Sequence, residues 1–298
     1  MTKMNKTKMN KTKMNKTKMN KTKMNKTKMN KTKMNKTKMN KTKMNKTKKN
    51  NNNSKLNIIS YNISWESMSG LKPKWTLCNN NTNINDPKHF SVCVNNVSSV
   101  FDTASSQLDF VTLQEATDFK KLIKESPRLK NMNYLVHSSE LDFIVTFWNK
   151  KYKLQNNING EFEKGRPWLA TLFTNGICLI NVHMGHYDTE EQFNMMEKMF
   201  IHIKSKIKNK IKSEKKIRYI ISGDFNYDIK KFGNSRNYFM LDNTILYFNT
   251  KHILTCCINR RKHNDHVIDS LGIPMNIKIP KVNYMASDHK PILVELKE

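Results

Sequence analysis

Five short clusters in this chain combine residue types that handle metal ions and phosphate. They are Tyr61-Asn62-Ile63, Leu113-Gln114-Glu115, Asn181-Val182-His183, Ser222-Gly223-Asp224-Phe225-Asn226 and Ser287-Asp288-His289. In each, a carboxylate, amide or imidazole stands next to an apolar run. Polar groups held beside a core are costly unless they are paired or coordinated. Carboxylates and amides offer hard oxygen ligands to a cation such as magnesium. Imidazoles and acids can move protons in a transition state. The combination points to metal-assisted hydrolysis of a phosphate ester.

Such groups need elements that bring them together. Residues 56–63 read as an opening strand, and 108–113 as a core strand that delivers Glu115 at its end. A short helix is expected over 92–101, and a second over 116–125, limited by Pro127. Another strand is expected at 141–148. Residues 168–173 and 177–182 predict a hairpin turning at Asn175-Gly176. Phe193, Met196, Phe200, Ile203, Ile207 and Ile211 recur at three and four residues. They predict a long helix with one apolar and one lysine-rich face, starting near Thr189. Residues 217–221, 267–268 and 291–296 supply further strands. Gly70, Pro73, an Asn-rich run and Asp86-Pro87 mark 64–90 as a long surface excursion. Hairpins mixed with helices argue against a simple doubly wound parallel sheet.

Composition divides the chain at residue 54. Residues 1–50 repeat the unit Lys-Thr-Lys-Met-Asn and contain 20 lysines and no acid. The full chain of 298 residues has 54 basic and 24 acidic residues, so the remainder carries 34 against 24, a net of +10. Methionines spaced five apart match neither helix nor strand, and dense lysines repel one another. Residues 1–54 are therefore expected to be a disordered repeat tail. It is read either as a repeat expansion without a dedicated role or as an arm that attracts polyanions. Residues 55–298 suffice for one catalytic domain with a sizeable core. No apolar stretch resembles a signal peptide or a bilayer-spanning helix. Cys78, Cys93, Cys178, Cys256 and Cys257 are odd in number and lack CxxC pairing, so they read as reduced thiols. These features lead to an expected intracellular location, cytoplasmic or nuclear.

Each cluster also has a plainer explanation. Asp224 and Asn226 could cap a turn after a strand. Glu115 could be a first-turn acid of a helix. His183 and His186 have the spacing of a zinc pair, but no third ligand follows at a known zinc spacing. His186 could instead contact substrate or cap the helix near Thr189. Adjacent Cys256 and Cys257 make a poor chelate. Arg166 could grip a substrate phosphate or be a solvated strand-start charge. Residues 204–216 read as the wet face of a helix or as a nucleic-acid track.

Taken in order, Asn62, Glu115, His183, Asp224-Phe225-Asn226, Asp265 and Asp288-His289 resemble the endonuclease/exonuclease/phosphatase family of magnesium-dependent hydrolases. The resemblance runs from about Lys55 to the C-terminus. It implies an α+β fold, a four-layer sandwich with two central, mostly antiparallel sheets and a site at one rim. It implies magnesium, with manganese as the alternative, held by Glu115 with Asn62 and Asp288. It implies that His183 donates to a phosphate oxygen and that Asp224 orients or deprotonates water. Asn226 would keep Asp224 and the phosphate in register. Asp265, preferred to Asp269 by the family's register, would orient His289, which acts in acid–base or electrostatic catalysis.

The family covers several phosphate esters. The stretch before Asp265, Arg260-Arg261-Lys262-His263-Asn264, lacks the cysteine- and arginine-bearing signature of the inositol-polyphosphate phosphatases. His183 stands where abasic-site enzymes usually carry a tyrosine motif. The positive charge favours a nuclease or nucleic-acid phosphodiesterase. Alternatives are a phosphatase acting on an inositol phosphate or lipid headgroup, and a catalytically silent basic nucleic-acid-binding protein.

Overall fold

The structure is a computed structural model that describes residues 55–64, 89–140, 142–208, 216–233, 236–249, 253–256, 262–272, 275–281 and 287–297. The repeat tail, residues 65–88 of the expected 64–90 excursion and residues 209–215 of the basic segment lie outside the described residues, while the end of that excursion, from His89, is helical.

Among the described residues, thirteen strands form two sheets. They are β1 (Lys55–Asn62), β2 (Phe110–Gln114), β3 (Asn133–Ser138), β4 (Phe143–Trp148), β5 (Leu154–Glu161), β6 (Pro167–Phe173), β7 (Ile177–His183), β8 (Arg218–Asp224), β9 (Tyr238–Leu241), β10 (Thr244–Phe248), β11 (Asp265–Asp269), β12 (Asn276–Lys278) and β13 (Ile292–Lys297). One sheet has the order β12-β13-β1-β2-β4-β3 and the other β5-β6-β7-β8-β11-β10-β9. Neighbours are antiparallel except for β1 with β2 and β7 with β8.

The sheets pack face to face, with Leu56, Ile58, Phe110, Phe173, Leu179, Ile220 and Val294 between them. The outer face of the first sheet is covered by α1 (His89–Thr103), α2 (Phe119–Glu125) and α3 (Pro127–Lys130), through Cys93, Val97, Val100, Phe101, Leu122 and Leu129. The other sheet is covered by α4 (Thr189–Lys208), through Met196, Met199, Phe200, Ile203 and Ile207. The result is the four-layer arrangement expected. The apolar period of three and four in α4 is what allows one stripe to seat on the sheet. Asp188 caps α4, its Oδ1 accepting from the backbone N–H of Glu190 and Glu191 at 3.0 and 2.9 Å. His186 is therefore not needed as the cap.

Several local expectations are corrected. The helix expected over 116–125 begins only at Phe119, because Glu115 turns into the left-handed region first. Pro127 limits it as expected, at Glu125. It opens α3, with Ser126 Oγ accepting from Leu129 N–H at 3.2 Å, since proline is suited to a first helical turn. Edge strand β5 is not evident in the sequence, because Asn156, Asn157, Asn159 and Gly160 have poor strand propensity. Its pairing with β6 overrides that preference. The β9–β10 hairpin turns at Asp242 and Asn243, both with positive φ of 42° and 58°, as a two-residue turn requires.

The cysteines also differ from expectation. Cys93 and Cys256 are disulfide-bonded, and Cys178 is free and buried. Disulfides depend on spatial approach, which odd count and sequence spacing do not reveal. The cysteines thus carry no argument about compartment. Among the described residues no helix is long and apolar enough to cross a membrane.

Candidate active site

The two parallel strand pairs set the site. Parallel β1 and β2 end side by side, with Asn62 in register with Gln114. Parallel β7 and β8 end the same way in the other sheet, with His183 opposite Asp224. Antiparallel β11 starts at this rim, with Asp265 opposite Asp224. His289 stands just before β13, where the Ser287 hydroxyl donates to the Asn62 carbonyl at 2.8 Å. Residues scattered over more than two hundred positions thereby meet at one edge of the sandwich.

Polar cross-links fix the two sheets to each other beneath the rim. Gln114 Nε2 donates to Asn181 Oδ1 at 2.8 Å, and Asn181 Nδ2 donates to the Leu113 and Val145 carbonyls at 3.1 Å. Thr112 and Ser222 share a hydroxyl–hydroxyl bond of 2.8 Å. Buried groups paired in this way specify one registry of the sheets.

The backbone then bends sharply at the rim. Ser64, Glu115 and Asn226 have φ of 49°, 51° and 49°. For glutamate the left-handed region costs about 1–2 kcal/mol, and such strain concentrates at functional sites. Gly223 has a different constraint: a Cβ there would lie 2.0 Å from the Val182 carbonyl oxygen. Only glycine permits β8 to run this close to β7.

Asp224 is the centre of the cluster. Its Oδ2 accepts from Asn62 Nδ2 at 3.0 Å, and its Oδ1 accepts from the Asn226 backbone N–H at 2.8 Å. Two imidazoles flank it: His183 Nε2 and His289 Nε2 each lie 3.7 Å from Oδ2. Each imidazole has a carboxylate behind it. His289 Nδ1 is 2.9 Å from Asp265 Oδ2, and His183 Nδ1 is 2.5 Å from Asp142 Oδ2.

Asp142 lies outside the residues that the sequence motifs single out. Its only signal is an acid directly before the apolar run Phe143-Ile144-Val145, and it is buried. Arg166 is not a solvated strand-start charge. Its Nη1 lies 2.8 Å from His183 Nε2, in the site. Asp269 is at the opposite end of β11, where both its oxygens accept from Arg218 at 2.9 and 3.0 Å. His266 donates to the Tyr227 and His263 carbonyls, and burial lowers its pKa to about 4, as for a structural histidine. Asn226 uses its side chain structurally, donating to the Met184 carbonyl at 2.7 Å and accepting from Asn264 at 3.3 Å.

Asn62 donates from the same amide to Glu115 Oε1 at 3.0 Å, so it bridges Glu115 and Asp224. Its Oδ1 accepts from Ser64 N–H at 2.9 Å, which fixes the amide's orientation. Glu115 retains 29% side-chain exposure, against 5%, 1% and 0% for Asp142, Asp224 and Asp265. Asp288 is half-buried beside His289. A solvent-facing carboxylate with amide and carboxylate neighbours fits a hydrated magnesium ion, which keeps several waters. Asp224, Asp265 and His289 form a second candidate donor group, with ligand atoms all within 4.8 Å. In that group the Asp265–His289 hydrogen bond already uses one atom of each residue.

The electrostatics separate the groups. Burial works to raise the Asp224 pKa, but His289, His183, the Asn62 amide and the Asn226 N–H outweigh it and hold it below the ordinary value. Burial pushes Asp265 up to about 6, against the pull of His289. Burial opposes a charge on His289, yet Asp265 and Asp224 lift its pKa well above the usual histidine range. For His183 burial is likewise outweighed by Asp142, Asp224 and Glu115, and its pKa rises. The Arg166 guanidinium, however, can donate only to an unprotonated Nε2. With Arg166 in place His183 is neutral, and protonating it requires the guanidinium to leave. Burial holds the pKa of His186 down, and the charges of Asp224, Arg166 and Lys262 act on it.

No family model matches the chain. The uncharacterized protein L684 of Acanthamoeba polyphaga mimivirus is 33% identical over 253 residues, covering 79% of this chain and 49% of that protein. The chain thus spans about half the length of the curated relative it matches. Among solved structures, ANGEL2, described as a 2′,3′-cyclic phosphatase, in complex with adenosine-2′,3′-vanadate, aligns with a TM-score of 0.58 at 13% identity, over 81% of this chain and 95% of that one. An endonuclease/exonuclease/phosphatase from Bacteroides vulgatus aligns with a TM-score of 0.55 at 14% identity, over 82% and 99%. At such identities the likeness establishes the fold.

Proposed function

We propose that this chain, which has the endonuclease/exonuclease/phosphatase fold, is a metal-dependent phosphoesterase that hydrolyses nucleic acid. The observation that carries the reading is Asp224, held by two N–H donors between two imidazoles that are each backed by a carboxylate. Ion pairs that serve stability alone do not need two histidines converging on one acid beside a solvent-facing glutamate.

Magnesium, held by Glu115 with Asp288 and the adjoining Asn62, would neutralise phosphate charge and help align water. The chain's own groups supply the rest. Asp224, kept ionised, orients the attacking water and receives its proton as the new phosphorus–oxygen bond forms. His289, kept protonated by Asp265, delivers a proton to the departing ester oxygen as that bond breaks. Groups whose environments push their pKa values apart divide the base and acid roles. His183 and Arg166 face the non-bridging oxygens, where developing charge is stabilised by fixed donors. Arg166 exchanges its contact with His183 for the phosphate.

Nucleic acid is favoured by charge. The body carries a net +10 and the repeat tail adds twenty lysines, which suits a polyanion longer than one phosphate group. The test is incubation of the purified protein with magnesium and single- and double-stranded DNA, poly(A) RNA and inositol polyphosphates, beside an Asp224→Ala control. Shortened nucleic acid, lost in the control, is the expected result. Phosphate released from the inositol substrates alone would replace the nuclease reading with a phosphatase. No turnover of any substrate, with polyanion binding retained, would favour a silent binding protein.

A further inference from the structure

Cys256 stands against the catalytic centre. It is buried, at 5% exposure, and its Sγ lies 3.4 Å from His289 Nε2. That nitrogen is also 3.7 Å from Asp224 Oδ2. Tetrahedral zinc with ordinary bond lengths to sulfur, nitrogen and oxygen places its ligand atoms about 3.4–3.6 Å apart. The sulfur–nitrogen separation falls within this spacing before any metal enters, and the nitrogen–oxygen separation lies just outside it.

Three further features point the same way. Asp265 binds His289 Nδ1 at 2.9 Å, leaving Nε2 as the nitrogen directed at Cys256 and Asp224. A carboxylate behind a histidine is the usual outer support of a zinc ligand. Asp265 is itself only 4% exposed, so its hold on His289 is shielded from solvent. The donor set of one sulfur, one imidazole and one carboxylate is also softer than the Glu115 side of the site, and soft donors select zinc over magnesium.

We infer that, once the Cys256 disulfide is reduced, Cys256 Sγ, His289 Nε2 and Asp224 Oδ2 form a zinc site that closes the hydrolytic centre. In the oxidised chain the sulfur belongs to a disulfide and supplies no thiolate. A dithiol gives two electrons and two protons to the sulfur–sulfur bond and becomes a disulfide itself. The freed Cys256 thiol and the protonated His289 Nε2 each lose a proton to solvent as the zinc–sulfur and zinc–nitrogen bonds form. Zinc binding itself does not depend on the catalytic reading. Inhibition does, because the ion takes the nitrogen and oxygen that would move protons.

The test uses the full chain without an affinity tag, oxidised or reduced by a dithiol and desalted anaerobically, and titrated with Zn2+ and with Co2+ as its spectroscopic substitute. The reduced chain should bind about one ion with a thiolate-to-cobalt charge-transfer band. The oxidised chain and reduced Cys256→Ser should lack the band and bind at least ~10-fold more weakly. Equal affinity in the oxidised and reduced chains, or a band that survives in Cys256→Ser, would overturn the proposal. The oxidised–reduced comparison needs no variant, and Cys256→Ala replaces the serine form should that not fold. In the hydrolysis assay, zinc should inhibit the reduced wild type and spare reduced Cys256→Ser. Metal binding without any hydrolysis would retain the zinc site and refute the phosphoesterase reading instead.

Discussion

Arg166 Nη1 and His183 Nε2 lie 2.8 Å apart, a separation that leaves no room for a proton on both nitrogens. The contact keeps His183 neutral although three carboxylates favour its protonation. Removal of the guanidinium should therefore raise the His183 titration midpoint, as followed by imidazole NMR in the metal-free protein. Arg166→Ala should also lower kcat/KM by roughly 10-fold or more, since a charge-assisted contact to the phosphate is lost. An unchanged midpoint would contradict the pairing in solution.

Asp224 and His289 should be essential to turnover and dispensable to the fold. Asp224→Ala or His289→Ala is expected to cut kcat by at least ~100-fold, because each group acts mainly in the transition state. Far-UV circular dichroism should remain unchanged. Normal rates in both variants would remove the site assignment.

Asp265 controls how tightly His289 holds its proton. Replacing it with Asn removes the foremost charge that raises His289, so His289 should titrate at lower pH in Asp265→Asn. The stability profile has a defined sign. His289 and Asp265 both bind protons more tightly in the folded protein, so their stabilising contributions are complete at low pH. The Asp265 contribution is lost as pH rises from the ordinary carboxylate value through about 6, and that of His289 at higher pH. Asp224, held low, opposes this only in acid: its contribution is lost as pH falls below the ordinary carboxylate value through its lowered folded one. Urea midpoints against pH should accordingly decline less steeply on the alkaline side in His289→Ala.

Backbone geometry gives a separate test. Asn226 has φ of 49°, where alanine is strained and glycine is not. Asn226→Gly should be more stable than Asn226→Ala by about 1 kcal/mol in urea unfolding. Gly223→Ala should destabilise by about 3 kcal/mol or more, because its Cβ collides with backbone rather than with a movable side chain. A difference near zero in either comparison would mean that the rim backbone adopts another course.

The repeat tail should act through counterions. Deleting residues 1–50 removes 20 lysines, so polyanion affinity should fall and its dependence on salt should flatten. Fluorescence titrations at several salt concentrations measure that slope. Equal slopes with and without the tail would make it a passenger.

The apolar strands, the long amphipathic helix and most of the chemistry-bearing residues can be read from the sequence alone. Asn62, Glu115, His183 and Asp224 were legible because each stands at or just beyond the end of an apolar strand, where a polar side chain breaks the local pattern. The weak strands β5, β9 and β12 were not legible. Their Asn, Tyr, Met and Lys content gives little periodicity, and neighbouring strands impose their extended form. Tertiary structure alone decided the partners: Asp142 behind His183, Arg166 on its other nitrogen, Arg218 on Asp269 and Cys256 against His289. Hydrogen bonds and pKa shifts depend on through-space distance and burial. Residues from 17 to 51 positions apart acquire those relationships only when the strands pair and the sheets pack.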